Sequence, residues 1–247
     1  MGNRAAAERV VIVPSEIAPG REDVRIPAAA HTLVGFRPWA HSDRFPEIGR
    51  IDYLGGNVEL DMSPEDLHTH GTLKAALAAE LFSLIAKTGC GYVFIDRTRV
   101  TAPEAELSVE PDLVVVLFSS LDSGRLRQVP SSRNLPGRFI ELEGAPDLVV
   151  EILSDTSEAK DTKRLPPRYA QAGVPELWLL DARGDRLRFE LRILDNGEYR
   201  LARPDRANWV QSPLLNGRVR LSRRPAHQSG WLYELERESN VESEKAH

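Results

Sequence analysis

Two unbroken aliphatic runs dominate the hydrophobic pattern, and both open on the same five residues, Pro111-Asp112-Leu113-Val114-Val115 and Pro146-Asp147-Leu148-Val149-Val150. The second continues into Glu151-Ile152-Leu153. Continuous β-branched runs of this kind predict strands buried on both faces. Ile51 to Leu54 and Asn57 to Met62, joined by Gly55-Gly56, predict a β-hairpin, because paired glycines supply the positive φ of a tight turn. Leu73, Leu77, Leu81, Leu84 and Ile85 recur at three and four and predict a long helix to about Lys87, with Ser63 as N-cap, Pro64 at the first position and Asp66 completing a shortened capping box. Further helices are expected from about Thr32 to Ser42 and from about Ser157 to Ala172, the latter stopping at Gly173.

Strands are expected at Val10 to Val13, Tyr92 to Ile95, Arg138 to Leu142 and Glu176 to Asp181, and a second hairpin joins Arg186–Leu194 to Glu198–Leu201 through Asn196-Gly197. The Arg- and Ser-rich connection from Ser119 to Pro136 reads as mobile or ligand-facing, and the charged tail beyond Glu234 as helical or frayed. The sum is a mixed α/β sandwich. Residues 1–31 form an N-terminal extension, 32–205 the main domain, and 206–247 a C-terminal extension with a charged tail.

Glu151 changes the picture. A carboxylate inside a buried central strand costs several kcal/mol (roughly) unless a cation or hydrogen-bond donors compensate it. Asp147 lies on the same face but about 13 Å away along an extended strand, too far to share an ion. Asp112 begins a different strand; if the two strands are neighbours in suitable register, Asp112 and Glu151 converge on a hard divalent ion, the usual way a protein holds Mg2+. The competing reading, an aspartate that merely caps a strand entrance, suits Asp147 well and Glu151 poorly.

Composition narrows the classes. A length of 247 residues with 41% hydrophobic content permits a substantial core, and one cysteine, Cys90, excludes an intrachain disulfide and a Cys-rich zinc site. No run approaches the roughly 18 apolar residues of a membrane helix, so no membrane association and a cytoplasmic location are expected. A net charge of −5 argues against a broad sequence-independent grip on nucleic acid, while arginines after Gly124 (Arg125, Arg127, Arg133, Arg138) and the Lys160, Lys163, Arg164, Arg168 cluster leave room for a locally basic cleft.

The ordered combination of both Pro-Asp runs, Glu151-Ile152-Leu153-Ser154, Asp161, and Tyr169-Ala170-x-Ala172-Gly173-Val174-Pro175-Glu176-x-Trp178-Leu179-x-Asp181 resembles the Uma-two (Uma2) family of restriction-endonuclease-like proteins, within the PD-(D/E)XK nuclease superfamily. The resemblance covers about Thr32 to Leu201. It implies an α/β (α+β mixed sheet) restriction-endonuclease-like core, a central mixed sheet flanked by helices with added β-hairpins. It further implies Mg2+ (or Mn2+) held by Asp112, Glu151 and the main-chain carbonyl of Ile152, DNA as substrate, a homodimer, and metal-dependent phosphodiester hydrolysis. The motif lysine would be residue 153, which is Leu153; the family's displaced lysine position in the next helix is Leu165. Lys163 and Lys160 are the nearest substitutes, with solvent exposure as the competing reading for each, and Pro166-Pro167 should disturb that helix turn. His70 matches a family histidine, with a structural hydrogen bond as its alternative. Asp61 and Glu59 are possible accessory acids, edge-strand polarity being their simpler reading. Against the endonuclease stands a catalytically weakened module that binds nucleic acid or a protein partner through the same scaffold.

Overall fold

A computed structural model of the chain describes residues 10–13, 24–47, 49–131, 136–228 and 230–239. In chain order its elements are β1 (Val10–Val13), β2 (Val24–Pro27), α1 (Leu33–Ala40), β3 (Arg50–Leu54), β4 (Asn57–Asp61), α2 (Thr72–Thr88), β5 (Gly91–Ile95), β6 (Arg99–Ala102), β7 (Leu107–Val109), β8 (Leu113–Leu117), α3 (Phe118–Asp122), β9 (Leu126–Pro130), β10 (Phe139–Gly144) and β11 (Leu148–Ile152). There follow α4 (Leu165–Ala172), β12 (Glu176–Asp181), β13 (Arg188–Asp195), β14 (Glu198–Leu201), β15 (Val210–Ser212), β16 (Gly217–Pro225) and β17 (Trp231–Ser239).

Two six-stranded mixed sheets, ordered β4-β3-β7-β6-β10-β9 and β14-β13-β12-β11-β8-β5, make the mixed α/β core. Strands β8 and β11 are antiparallel neighbours, Val115 opposite Leu148 and Leu113 opposite Val150. Alternation then sorts their side chains. Leu113, Val115, Leu148, Val150 and Ile152 face α2, whose Leu73, Leu77, Leu81 and Ile85 form the stripe expected from their spacing. Val149, with Leu177 and Leu179 of β12, faces α4 and the first sheet, packing against Leu54, Leu107, Val109, Leu165 and Tyr169. Glu151 is two residues from Val149 and so shares that second, fully enclosed face.

Several elements differ from the sequence expectation, each for a local reason. The long helix starts later than Ser63: Asp66 is its cap, its carboxylate accepting the N–H groups of His68 and Thr69 at 2.9 and 2.6 Å, while Ser63 donates its N–H to Asp61. A widened turn over Leu67–Gly71 precedes α2. A second widened turn, Lys160–Arg164, precedes α4, where Pro166 and Pro167 have no N–H for a regular ladder. The Ser119 to Pro136 connection contains α3 and the strand β9; Arg133 lies outside the described residues. The tail expected to be helical or frayed is β17 as far as Ser239, paired with β16 and contributing Leu235 to the core under α2. No helix among the described residues is long and apolar enough to cross a membrane.

Candidate active site

The β3 hairpin carries charge inward. Ile51 and Tyr53 pack into the cluster around Phe36 and Trp39, so Arg50 and Asp52, on the opposite face of the strand, point toward β11. The Arg50 guanidinium meets three carboxylates there: Asp52 (Nε to Oδ2, 3.1 Å), Glu151 (Nη2 to Oε2, 3.2 Å) and Asp112 (Nη1 to Oδ1, 3.9 Å). The cation required by a buried Glu151 is therefore an arginine from the other sheet, 101 positions away in the chain. Tyr169 of α4 donates its hydroxyl to Glu151 Oε1 at 2.6 Å. Asp112 Oδ2 accepts the Ile152 N–H at 2.7 Å, which ties the two expected acids through one backbone amide.

The widened turn before α4 sets the two lysines apart. It buries Lys160, which donates to Asp52 Oδ2 at 2.8 Å, and leaves Lys163 exposed. Leu153, at the motif-lysine position, is buried in the apolar cluster with Leu165. His70 lies against Asp112, Nε2 to Oδ1 at 3.5 Å, and one helical turn later Lys74 contacts Glu65 and Asp96, both at 2.6 Å, with Asp112 at 3.7 Å. Asp61 holds the hairpin end to the loop after β11 through Ser63 and Thr156, and Glu59 pairs with Arg164 at 2.9 Å; the contacts of neither reach Asp112 or Glu151.

Burial and charge separate the two acids. Burial pushes Glu151 up against the pull of Arg50, and the charges of Asp161 and Asp112 add to the rise, bringing it to about 8. Burial would also raise Asp112, but its contact with His70 and the charges of Arg50, His70 and Lys74 prevail and hold it at about 2. Asp52 is lowered because Lys160 and Arg50 outweigh its burial. Arg50 itself is raised well above its ordinary value, since four acids around it overcome its desolvation.

A cleft of about 840 Å³ opens over Asp112, His70, Glu65, Ile152 and Arg50, whereas Lys160 lines an adjoining cavity of about 310 Å³. The cleft wall carries seven carboxylates against three arginines, so it favours small cations before it favours phosphate. Glu151 is fully buried behind Arg50. Among the described residues, Glu65, His70 and Asp112 place donor atoms within 4.8 Å of one another. Asp112 is common to this set and to the pair expected from the sequence. Sequence reasoning missed Arg50, Asp52, Glu65 and Lys74. The inward-facing i, i+2 charges of Arg50-Ile51-Asp52-Tyr53 and the i, i+4 spacing of His70 and Lys74 were the available signals.

Comparison with known proteins bears on the fold and the family. No curated protein matches the chain. The crystal structure of "a putative nuclease belonging to DUF820" from Anabaena variabilis matches with a TM-score of 0.50 at 18% sequence identity, over 67% of this chain and 82% of that one, a likeness of fold. The Uma2 family model, described as "Putative restriction endonuclease", matches residues 36–225, a span that includes Arg50, His70, Asp112, Glu151, Lys160 and Tyr169. With most of its length and the whole of this carboxylate cluster inside that match, the chain belongs to the Uma2 family.

Proposed function

We propose that the chain is a Mg2+- or Mn2+-dependent DNA endonuclease whose centre is Asp112, Glu151 and the Ile152 carbonyl. One observation carries the reading: acids from two adjacent antiparallel strands meet the same Arg50 guanidinium at the floor of an acidic cleft. Two carboxyl groups and a carbonyl are hard oxygen donors of the kind Mg2+ prefers, and Glu151 would give up its proton on binding the ion, so the residues present fit it. An ion held by both acids would compete with Arg50 for them. When bound, it would lower the pKa of a water and neutralise charge on the phosphodiester.

The surrounding residues prepare that site. Tyr169 fixes the orientation of Glu151 through Oε1, and the Ile152 amide fixes Asp112 through Oδ2, leaving Glu151 Oε2 and Asp112 Oδ1 toward cations. Arg50, once released, presents a planar fork suited to a phosphate oxygen pair. Lys160 acts as a positioning residue: it shares Asp52 with the Nε of Arg50, whose two terminal nitrogens face the other two acids. The reading takes the working unit to be a cytoplasmic homodimer, checked by native mass measurement and cell fractionation.

A second reading, a nuclease-fold module that binds nucleic acid or a protein without cutting, draws on Leu153, buried among apolar side chains where the motif lysine is expected. Supercoiled plasmid incubated with the purified chain and Mg2+ or Mn2+ separates the two. The endonuclease reading expects nicked or linear product that EDTA, Asp112→Ala and Glu151→Ala each abolish while circular dichroism stays native. Retention of plasmid without cutting, under every divalent ion tried, would leave the binding module.

A further inference from the structure

We propose that Glu65, His70 and Asp112 form a binding site for an imidazole-seeking divalent transition metal, of the Zn2+ and Co2+ class, beside the Asp112–Glu151 pair. The donor atoms lie within 4.8 Å of one another on the wall of the large cleft. Proximity of acids alone would not make a site. The second observation is His70, which is only 7% exposed and whose buried Nδ1 has no hydrogen-bond partner among the described residues. That nitrogen lies 3.4 Å from Glu65 Oε2, and Nε2 lies 3.5 Å from Asp112 Oδ1. Both are contacts too long for strong hydrogen bonds. A single ion takes only one imidazole nitrogen, and the Nδ1–Glu65 separation is of the size found between two ligands of one ion, with one donor atom from each of the three residues inside the 4.8 Å set.

The local backbone builds this arrangement. Asp66 caps the helix, so Glu65 stands just outside it, and the widened turn over Leu67–Gly71 turns His70 inward toward the strand start that holds Asp112. Lys74 is the present counter-ion of Glu65, but it also holds Asp96 at 2.6 Å, so release of Glu65 does not strand its ammonium. One nitrogen and two carboxylates rank transition metals above Mg2+, which takes oxygen ligands and gains little from an imidazole. The inference shares Asp112 with the nuclease reading yet needs no cleavage. Its readout is metal affinity, so either can fail while the other stands.

The test is titration calorimetry of Zn2+ and of Mg2+ into the full chain, its Glu65→Gln and His70→Asn variants, and Glu151→Gln. Zn2+ is expected to bind at least about 100-fold more tightly than Mg2+. Glu65→Gln and His70→Asn should each weaken Zn2+ by about ten-fold or more and leave Mg2+ within about three-fold, whereas Glu151→Gln should leave Zn2+ within about three-fold. Because His70 is buried and its replacement risks the fold, two readouts stand on safer ground: Glu65, with a side chain 55% exposed, and the wild-type imidazole. Zn2+ should shift the His70 ring nitrogens in an NMR spectrum, and Co2+ should give a visible band that Glu65→Gln diminishes. Equal Zn2+ and Mg2+ affinities, a Zn2+ affinity indifferent to Glu65→Gln, or an unmoved His70 resonance would each overturn the site.

Discussion

Asp112 and Asp147 occupy the same place in two identical pentapeptides, and antiparallel pairing makes them twins at opposite ends of the sheet. Asp112 accepts the N–H of Ile152 at 2.7 Å; Asp147 accepts the N–H of Leu117 at 2.7 Å. Each closes the end of its neighbour's strand, on the residue five positions beyond the other aspartate. The likeness stops there. Asp147 is completed by the Ser120 hydroxyl and Arg125, a finished structural knot. Asp112 instead faces His70, Lys74 and Arg50 across a cleft, and where its own strand has Val116, the other has Glu151. A Pro-Asp strand entrance is therefore a capping device first; the neighbours brought to it make one copy a candidate ligand.

The largest expected effect comes from Glu151 itself. With its pKa raised to about 8, it is protonated in both folded and unfolded chains below its ordinary value near 4.5. As pH rises from there, the unfolded chain loses a proton that the folded chain keeps, and stability falls until about pH 8, by at most about 5 kcal/mol. Asp112 has the opposite sign: its stabilisation is present above its ordinary 3.8 and lost as pH falls toward about 2, a span of roughly 2 kcal/mol. Urea unfolding of the chain in EDTA at pH 5 and pH 8.5 checks this. Glu151→Gln should flatten the decline relative to wild type, and an equal decline in both would mean that the glutamate is ionised throughout.

The twin strands and the odd glutamate were legible because burial constrains them locally: a β-branched run has no polar face, so a carboxylate within it stands out. The partner of that glutamate was not, since Arg50 joins it only when the two sheets stack, and alternation in Arg50-Ile51-Asp52-Tyr53 gives a strand without saying which face turns inward. The same ambiguity misled at the tail. The glutamates at 236 and 238 fall in the charged tail expected to be helical or frayed, yet Arg218 pairs with Glu238 and Arg220 with Glu236 directly across β16 and β17. The start of the long helix shifted for a smaller reason: Ser63 and Asp66 both have capping side chains, and the contact of Ser63 with Asp61 leaves the cap to Asp66.

Removing one charge from each twin breaks their comparison cleanly. Asp112→Asn should lower metal-dependent plasmid cleavage by about three orders of magnitude or more, because the isosteric amide keeps the Ile152 hydrogen bond and loses the charge. Asp147→Asn should leave cleavage per folded molecule within about three-fold, and lower stability by about 2 kcal/mol through the weakened, partly exposed Arg125 pair. Initial rates normalised to the folded fraction distinguish these outcomes. Equal loss of cleavage in both variants would mean that the sheet as a whole, and not Asp112, is what cleavage requires.

The two lysines sharpen the comparison at its smallest scale, three residues apart in one widened turn. Lys160 is buried and bonded to Asp52, whereas Lys163 is exposed. Lys160→Met leaves Arg50 as the nearest cation to Asp52, which should hold the guanidinium there and keep its fork from a phosphate oxygen pair; cleavage should fall by about ten- to 100-fold. Lys163→Met should change neither rate nor stability beyond about 0.5 kcal/mol, as surface substitutions do. Measured side by side at saturating metal, a deficit confined to Lys160→Met supports the charge chain Lys160–Asp52–Arg50. A deficit confined to Lys163→Met would place the working lysine on the outside of the turn and require this turn to rearrange when substrate binds.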